Sequence, residues 1–233
     1  MPLSSFPEGF RAIVIGTSGA IGGAIAARLE SHPRCALVVG VGRDTTPSLD
    51  LTDEASIRAC AASLAATGPY HLIVHAAGVL HGAGFMPEKR LEDLDAEKMA
   101  QVFRINAVGP AMVMAHFAPL LDTRRGVLAV LSAKVGSIGD NRLGGWYSYR
   151  ASKAALNMLL KTAAIEMKRR NPNAVLIALH PGTVASRLSA PFNGARIGKA
   201  ASSAASDLLN VMDRSGPDDS GGFFSYSGEA LPW

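Results

Sequence analysis

The feature that most narrows the folds open to this chain is a regular alternation of short, uninterrupted apolar runs with longer segments of helical periodicity. Ala12–Ile15, Ala36–Val41, His71–His75, Val127–Leu131, Ala174–Leu179 and Phe223–Tyr226 mostly carry Val, Ile or Leu on consecutive positions rather than on every second one. Strands buried on both faces have that pattern, whereas strands with one wet face alternate. Helical candidates at about 20–31, 53–66, 92–121, 149–170 and 199–213 lie between the runs, and Asn171-Pro172 closes the fourth.

This βαβ order predicts an α/β fold, a Rossmann-type doubly wound parallel sheet with helices on both faces. One link is irregular. About seven residues separate the second run from a possible short strand at Ser48–Leu51, too few for a crossover helix, so a helix is expected to be missing there. The 233 residues are 48% apolar and 18% charged, and no Pro/Ser-rich linker divides them, so residues 1–233 are expected to form one domain around one substantial core.

The formal net charge of +4 permits an anionic partner. Its densest clusters, Arg124-Arg125 and Lys168-Arg169-Arg170, sit at the ends of helical segments, where cations complement the helix dipole. No aromatic residues interleave them, which argues against a nucleic-acid partner. The uncharged stretch Ala12–Ala27 carries Gly16, Gly19, Gly22 and Gly23 and falls short of the roughly 20 residues a bilayer requires, so neither a membrane span nor a targeting segment is expected. Cys35 and Cys60, without a CxxC or a nearby His set, point to a reducing cytoplasm and no metal.

The first apolar run is followed at once by Gly16-Thr17-Ser18-Gly19-Ala20-Ile21-Gly22 and a helix. Glycines let backbone amides approach a pyrophosphate, and the helix start adds unpaired N–H groups and partial positive charge. The plainer alternative is a flexible strand-to-helix turn. After the second run the chain reads Val39-Gly40-Val41-Gly42-Arg43, with no acid before Asp44. An acid there would take the ribose 2′-hydroxyl and a base the 2′-phosphate, so Arg43 points to NADP(H) over NAD(H), unless it is simply a solvated loop residue. Tyr149 and Lys153 stand four apart at the start of a helix and share one face. A nearby ammonium favours phenolate and would bring a tyrosine with a pKa of about 10 toward proton exchange with an alcohol or carbonyl.

With these motifs in this order, joined by His75-Ala76-Ala77-Gly78, Asn106-Ala107-Val108-Gly109 and Pro181-Gly182-Thr183-Val184, the chain resembles the short-chain dehydrogenase/reductase family over nearly its whole length. Val135–Gly139 and Gly144–Arg150 look most like its small carbonyl-reductase-like branch. The resemblance implies an oxidoreductase that interconverts a carbonyl and an alcohol by hydride transfer. Tyr149 would be the general acid/base, Lys153 would lower its pKa and bind the nicotinamide ribose, and Asn106 would hold a water in the proton relay. Gly16, Thr17, Ser18, Ala20, Ile21 and Gly22 would line the pyrophosphate, while Ala76, Ala77 and Gly78 would line the adenosine side. Asp50 with Leu51 would sit by the adenine, and Pro181, Gly182, Thr183, Val184 and Ser186 would face the nicotinamide carboxamide. It also implies a homodimer or homotetramer formed through the helices at 92–121 and 149–170.

Three positions depart from the family's pattern. Ala133 stands where its second serine hydrogen-bonds the reacting oxygen; Ser132 would point to the opposite face, leaving Ser137 or a water as substitutes. Ala20 replaces a glycine, and Gly19 is expected to absorb the methyl by adopting φ > 0. His75 and Ala76 replace asparagine, and His75 reads as a packed strand residue. Ala133 motivates a second reading, a dinucleotide-binding regulatory or interaction protein with reduced or lost catalysis. The segments His81–Pro87, Ile138–Trp146 and Ala185–Ile197 bring Phe85, Met86, Leu143, Trp146, Leu188 and Phe192 to a pocket with Arg142 and Arg187, suiting a mainly apolar substrate with a polar end. The stretch 185–198 reads as a mobile lid.

Overall fold

A computed structural model describes residues 3–233. Its centre is one six-stranded parallel sheet built from β1 (Phe10–Ile15), β2 (Cys35–Val41), β3 (Leu72–His75), β4 (Gly126–Leu131), β5 (Ala174–His180) and β6 (Phe223–Ser225), in the order β2-β1-β3-β4-β5-β6. All six expected strands are present to within two residues at each end. The consecutive apolar runs have the cause inferred for them: β3 and β4 are buried along their full length, with side chains packed on both faces.

The helices divide between the two faces. On one side α2 (Glu54–Leu64), α4 (Gly109–Phe117) and α5 (Tyr147–Arg170) cover Ile13, Ile73, Leu128 and Leu176. On the other, α1 (Ala20–Glu30) and α7 (Ala201–Arg214) cover Val14, Val74, Ala129 and Ile177. The alternation of sheet residues between these two cores is the period-2 rule of a strand applied to a sheet with no wet face.

Two expectations need correction. Ser48–Leu51 is not a strand: Gly42 and Ser48 form a single bridge, and the chain then turns into α2, whose N-cap Asp53 accepts from the Ala55 N–H. No helix intervenes between β2 and α2, as the short spacing indicated, and the sheet stops at β2. The helix expected at 92–121 is broken into α3 (Ala96–Phe103), a wide π turn at Arg104–Val108 and α4, with one 3-10 turn before α3 and another after α4. Pro110 gives the reason. It has no N–H to donate to the Asn106 carbonyl, and its ring would crowd that carbonyl in a regular α-helix, so the backbone widens and Gly109 N–H bonds Arg104 C=O instead.

The loops after β1, β3, β4 and β5 converge at the carboxyl ends of the strands, where open α/β sheets bind ligands. No helix among the described residues is long and apolar enough to cross a membrane.

Candidate active site

The glycine turn after β1 is built around contacts that no side chain could share. Gly16 has φ +95°, and a Cβ there would lie 2.9 Å from the Ala77 backbone nitrogen; a Cβ on Gly22 would lie 2.2 Å from the Gly16 carbonyl oxygen. The turn is thereby pressed onto Ala76 and Ala77. The first intrahelical bond of α1 runs from Gly23 N–H to Gly19 C=O, so the amides of Ala20, Ile21 and Gly22 precede it, and no acidic residue in the first turn offsets the helix dipole. Gly19 is extended, with φ −82°, not left-handed as expected; Ala20 is simply the first residue of α1, a position that accommodates a methyl without strain.

Arg43 is exposed beyond β2, and its charge reaches Asp50. The Thr52 N–H and hydroxyl, with a smaller contribution from Arg43, hold the Asp50 carboxyl below the usual range. Leu51 lies against α4, where a Cβ on Gly109 would come within 2.7 Å of the Leu51 carbonyl oxygen.

Lys153 and Asn106 meet at Gly78, and Tyr149 neighbours Lys153. A Cβ on Gly78 would lie 3.2 Å from Asn106 Oδ1 and 3.5 Å from Lys153 Nζ. Lys153 is 4% exposed, donates to the Leu131 carbonyl at 2.9 Å, and has its Nζ 5.9 Å from the centre of the Tyr149 ring. Burial pulls the Lys153 ammonium down to about 8 and pushes the Tyr149 phenol up to about 12. The shift at Tyr149 thus runs opposite to the one anticipated from its neighbouring cation, because removing the phenolate from water outweighs an ammonium held by a strand carbonyl. The Asn106 amide is committed to the loop after β3: Oδ1 accepts from Val79 N–H, while Nδ2 donates to Val79 C=O and Ser152 Oγ.

Ala133 lies two residues beyond β4, after Ser132, and is buried. Ser132 points away, as expected, its hydroxyl donating to Asn157 Oδ1 at 2.6 Å. Ser137 is also occupied, donating to the Trp233 carbonyl and accepting from Asp140 N–H.

After β5, Gly182 has φ +74° and packs its α-carbon under the Tyr226 ring. Pro181 and Thr183 flank it, and Val184 is buried. The Ser186 hydroxyl is held within its own turn against Ser189. The stretch 185–198 carries short helical turns, and its ends are pinned where Val184 pairs with Lys199. Phe192 from this stretch lies 4.9 Å from Trp146, and Trp146 stands edge-on to Tyr149 at 6.2 Å, so Trp146 links Phe192 to the phenol. Arg187 does not join them. Its guanidinium donates to the Ser18 carbonyl of the glycine turn, and its own carbonyl contacts the His81 ring.

His75 is fully buried with neither ring nitrogen hydrogen-bonded to protein, and desolvation followed by the Lys153 charge pulls it down to about 3. His71, four residues earlier, instead pairs with Asp122. Nothing in the local sequence pattern marks Glu88. It is 9% exposed; its carboxylate accepts from both the backbone N–H and the hydroxyl of Ser148, and its carbonyl accepts from Trp146 N–H at 2.5 Å.

A family model described as short chain dehydrogenase matches residues 11–196. Among curated proteins the chain is 33% identical over 196 residues to 1-hydroxy-2-glutathionyl-2-methyl-3-butene dehydrogenase of Rhodococcus sp. (strain AD45), covering 84% of this chain and 83% of that protein. It is 36% identical over 170 residues to the C-signal protein of Myxococcus xanthus, covering 72% and 95%. Among solved structures, NADPH-bound carbonyl reductase from chicken fatty liver superposes with a TM-score of 0.83 at 22% identity, covering 98% of this chain and 96% of that one. A short-chain dehydrogenase/reductase from Burkholderia multivorans with bound NADP gives a TM-score of 0.80 at 23% identity, covering 96% and 99%. At these identities the superpositions establish the shared fold.

Proposed function

Because the chain belongs to the short-chain dehydrogenase family of oxidoreductases, we propose that it interconverts a carbonyl and an alcohol with NADP(H) as cofactor and Tyr149 as general acid/base. The observation that carries this reading is the meeting of Lys153 and Asn106 at Gly78, with the Tyr149 ring centre 5.9 Å from Lys153 Nζ, at the same sheet edge as a glycine turn packed tightly onto Ala76 and Ala77. When bound, NADP(H) supplies or accepts the hydride.

The cradle residues Gly16, Thr17, Ser18, Ala20, Ile21 and Gly22 hold the pyrophosphate through backbone amides, and Arg43 takes the 2′-phosphate. Asp50 and Leu51 border the adenine, Ala76, Ala77 and Gly78 the adenosine side, and Pro181, Gly182, Thr183 and Val184 the carboxamide. A phenol with its pKa raised by burial stays protonated at neutral pH, which suits Tyr149 to protonate a carbonyl oxygen during reduction. Lys153 keeps further N–H donors for ribose hydroxyls beside its bond to Leu131. With the Asn106 amide committed to Val79, the part of Asn106 left to hold a relay water is its main-chain carbonyl, which Pro110 cannot engage. The aromatic residues at Trp146 and Phe192 favour a mainly apolar substrate.

The exposed Val108 in the π turn before α4, with Met158, Leu159 and Ile165 on α5, supports self-association into a homodimer or homotetramer, which light scattering checks. Free Cys35 and Cys60 fit a reducing, cytoplasmic setting.

The test is NADPH oxidation with a panel of aldehydes, ketones and quinones, alongside Tyr149→Phe. Loss of turnover in the variant supports the reading, and a variant as active as the parent refutes it. A second reading, a dinucleotide-binding regulatory protein, draws on Ala133 and on the commitment of both nearby serines; NADPH binding without turnover on any carbonyl would favour it.

A further inference from the structure

Helix α5 begins without any cap of its own. Its N-cap residue, Trp146, is left-handed at φ 54°, offers no side-chain hydrogen bond, and is followed by a first turn with no acidic residue. The helix nevertheless presents Tyr149 in that same first turn, where frayed backbone would move the phenol directly.

We infer that Glu88 is the positioning residue for Tyr149, capping α5 from a distant loop. Its carboxylate takes the N–H of Ser148, the second residue of the helix, which is the donor an ordinary N-cap side chain would satisfy. The other carboxylate oxygen takes the Ser148 hydroxyl, and the Glu88 carbonyl takes Trp146 N–H. Three hydrogen bonds from one residue thus fix residues 146 and 148, immediately before the phenol. The negative charge also complements the positive end of the helix dipole, and its burial makes both carboxylate bonds charge-assisted in a dry setting. Glu88 touches neither Tyr149 nor the cofactor cradle; it acts through the backbone of α5.

This inference rests on the proposed role of Tyr149, and its test separates the two. In Glu88→Ala, kcat falls about 10- to 10²-fold while NADPH affinity, set by the loops after β1 and β5 and by Lys153 one turn further along α5, where its bond to Leu131 holds it, stays within about twofold. Glu88→Gln recovers part of the loss, since its amide oxygen still accepts the Ser148 N–H. Combining Glu88→Gln with Ser148→Ala costs less than the sum of the two single changes, because both act on one contact. Amide exchange at residues 146–150 rises in Glu88→Ala ahead of the rest of α5, a readout that needs no turnover. Unchanged exchange there overturns the inference, as does a kcat within twofold of the parent or a parallel loss of NADPH affinity. If the parent itself turns over no carbonyl, the functional reading fails, while the exchange experiment still decides whether Glu88 holds the first turn.

Discussion

Ser132 donates its hydroxyl to Asn157 Oδ1 at 2.6 Å, directing it into α5 and away from the face that Ala133 presents. On the proposed function, this leaves the reacting oxygen without the donor that a serine at 133 would give. Restoring it with Ala133→Ser should raise kcat, by up to about 10²-fold if the hydroxyl meets the developing oxyanion. Steady-state assays of both proteins check this, and an unchanged or lower kcat would show that the pocket has replaced the serine by other means.

Gly22→Ala should be severe for its size, because the new methyl would stand 2.2 Å from the Gly16 carbonyl. Displacing backbone by that much costs about 1–3 kcal/mol of stability and widens the cradle. Thermal melts and NADPH titration calorimetry should show both losses, while Gly42→Ala, with nothing within 4 Å of its added carbon, should show neither.

Lys153→Met should stabilise the free protein at pH 7 while abolishing activity. Burial lowers the lysine from 10.5 to about 8, so below pH 8 the folded state holds a charge that the unfolded chain hydrates freely. At about 1.4 kcal/mol per pH unit, the ceiling on the gain is about 3 kcal/mol. The Lys153 contribution to parent stability should therefore rise between pH 8 and 10.5, as the folded protein gives up a proton that the unfolded chain keeps, while above pH 9 the buried Cys60 thiol, pushed up to about 11, works against it; the variant's advantage should shrink over the same window. Denaturant melts at pH 7 and pH 10 measure it.

Arg43→Ala should weaken NADPH binding about 10-fold or more and leave NADH nearly untouched, since on the proposed assignment it removes a charge-assisted bond to the 2′-phosphate alone. Calorimetry with both nucleotides is the measurement; equal losses would place Arg43 elsewhere.

Exchange of amides in 185–198 should slow when NADPH and a substrate analogue bind, because this stretch already reaches the glycine turn through Arg187 and the catalytic helix through Phe192. Arg187→Ala should speed exchange there in the free protein.

The sheet was legible in advance because β3 and β4 are buried on both faces, and burial of that kind writes itself into consecutive residues. The break in the helix at 92–121 had a signal in Pro110, but its effect falls four residues upstream at Asn106, where helical periodicity shows nothing. Two features of the site had no local trace. The elevated pKa of Tyr149 depends on how much water the fold excludes, and the cap on α5 comes from 60 residues away. Arg187 was readable as a loop cation but not as a residue bridging to Ser18, since sequence spacing says nothing about contacts 169 residues apart.

The sheet ends at β2, where the usual order of this architecture adds one more strand outside it. Residues 42–53 are left as an irregular border that folds back on itself through the single bridge between Gly42 and Ser48. Substitutions at exposed positions of that border, such as Asp44, change the chemistry beside Arg43 without touching a ladder, whereas Leu49 belongs to the apolar layer under α2. On the proposed function, the choice between two nucleotide cofactors can thus drift by small steps at those exposed positions while the layered core stays as it is.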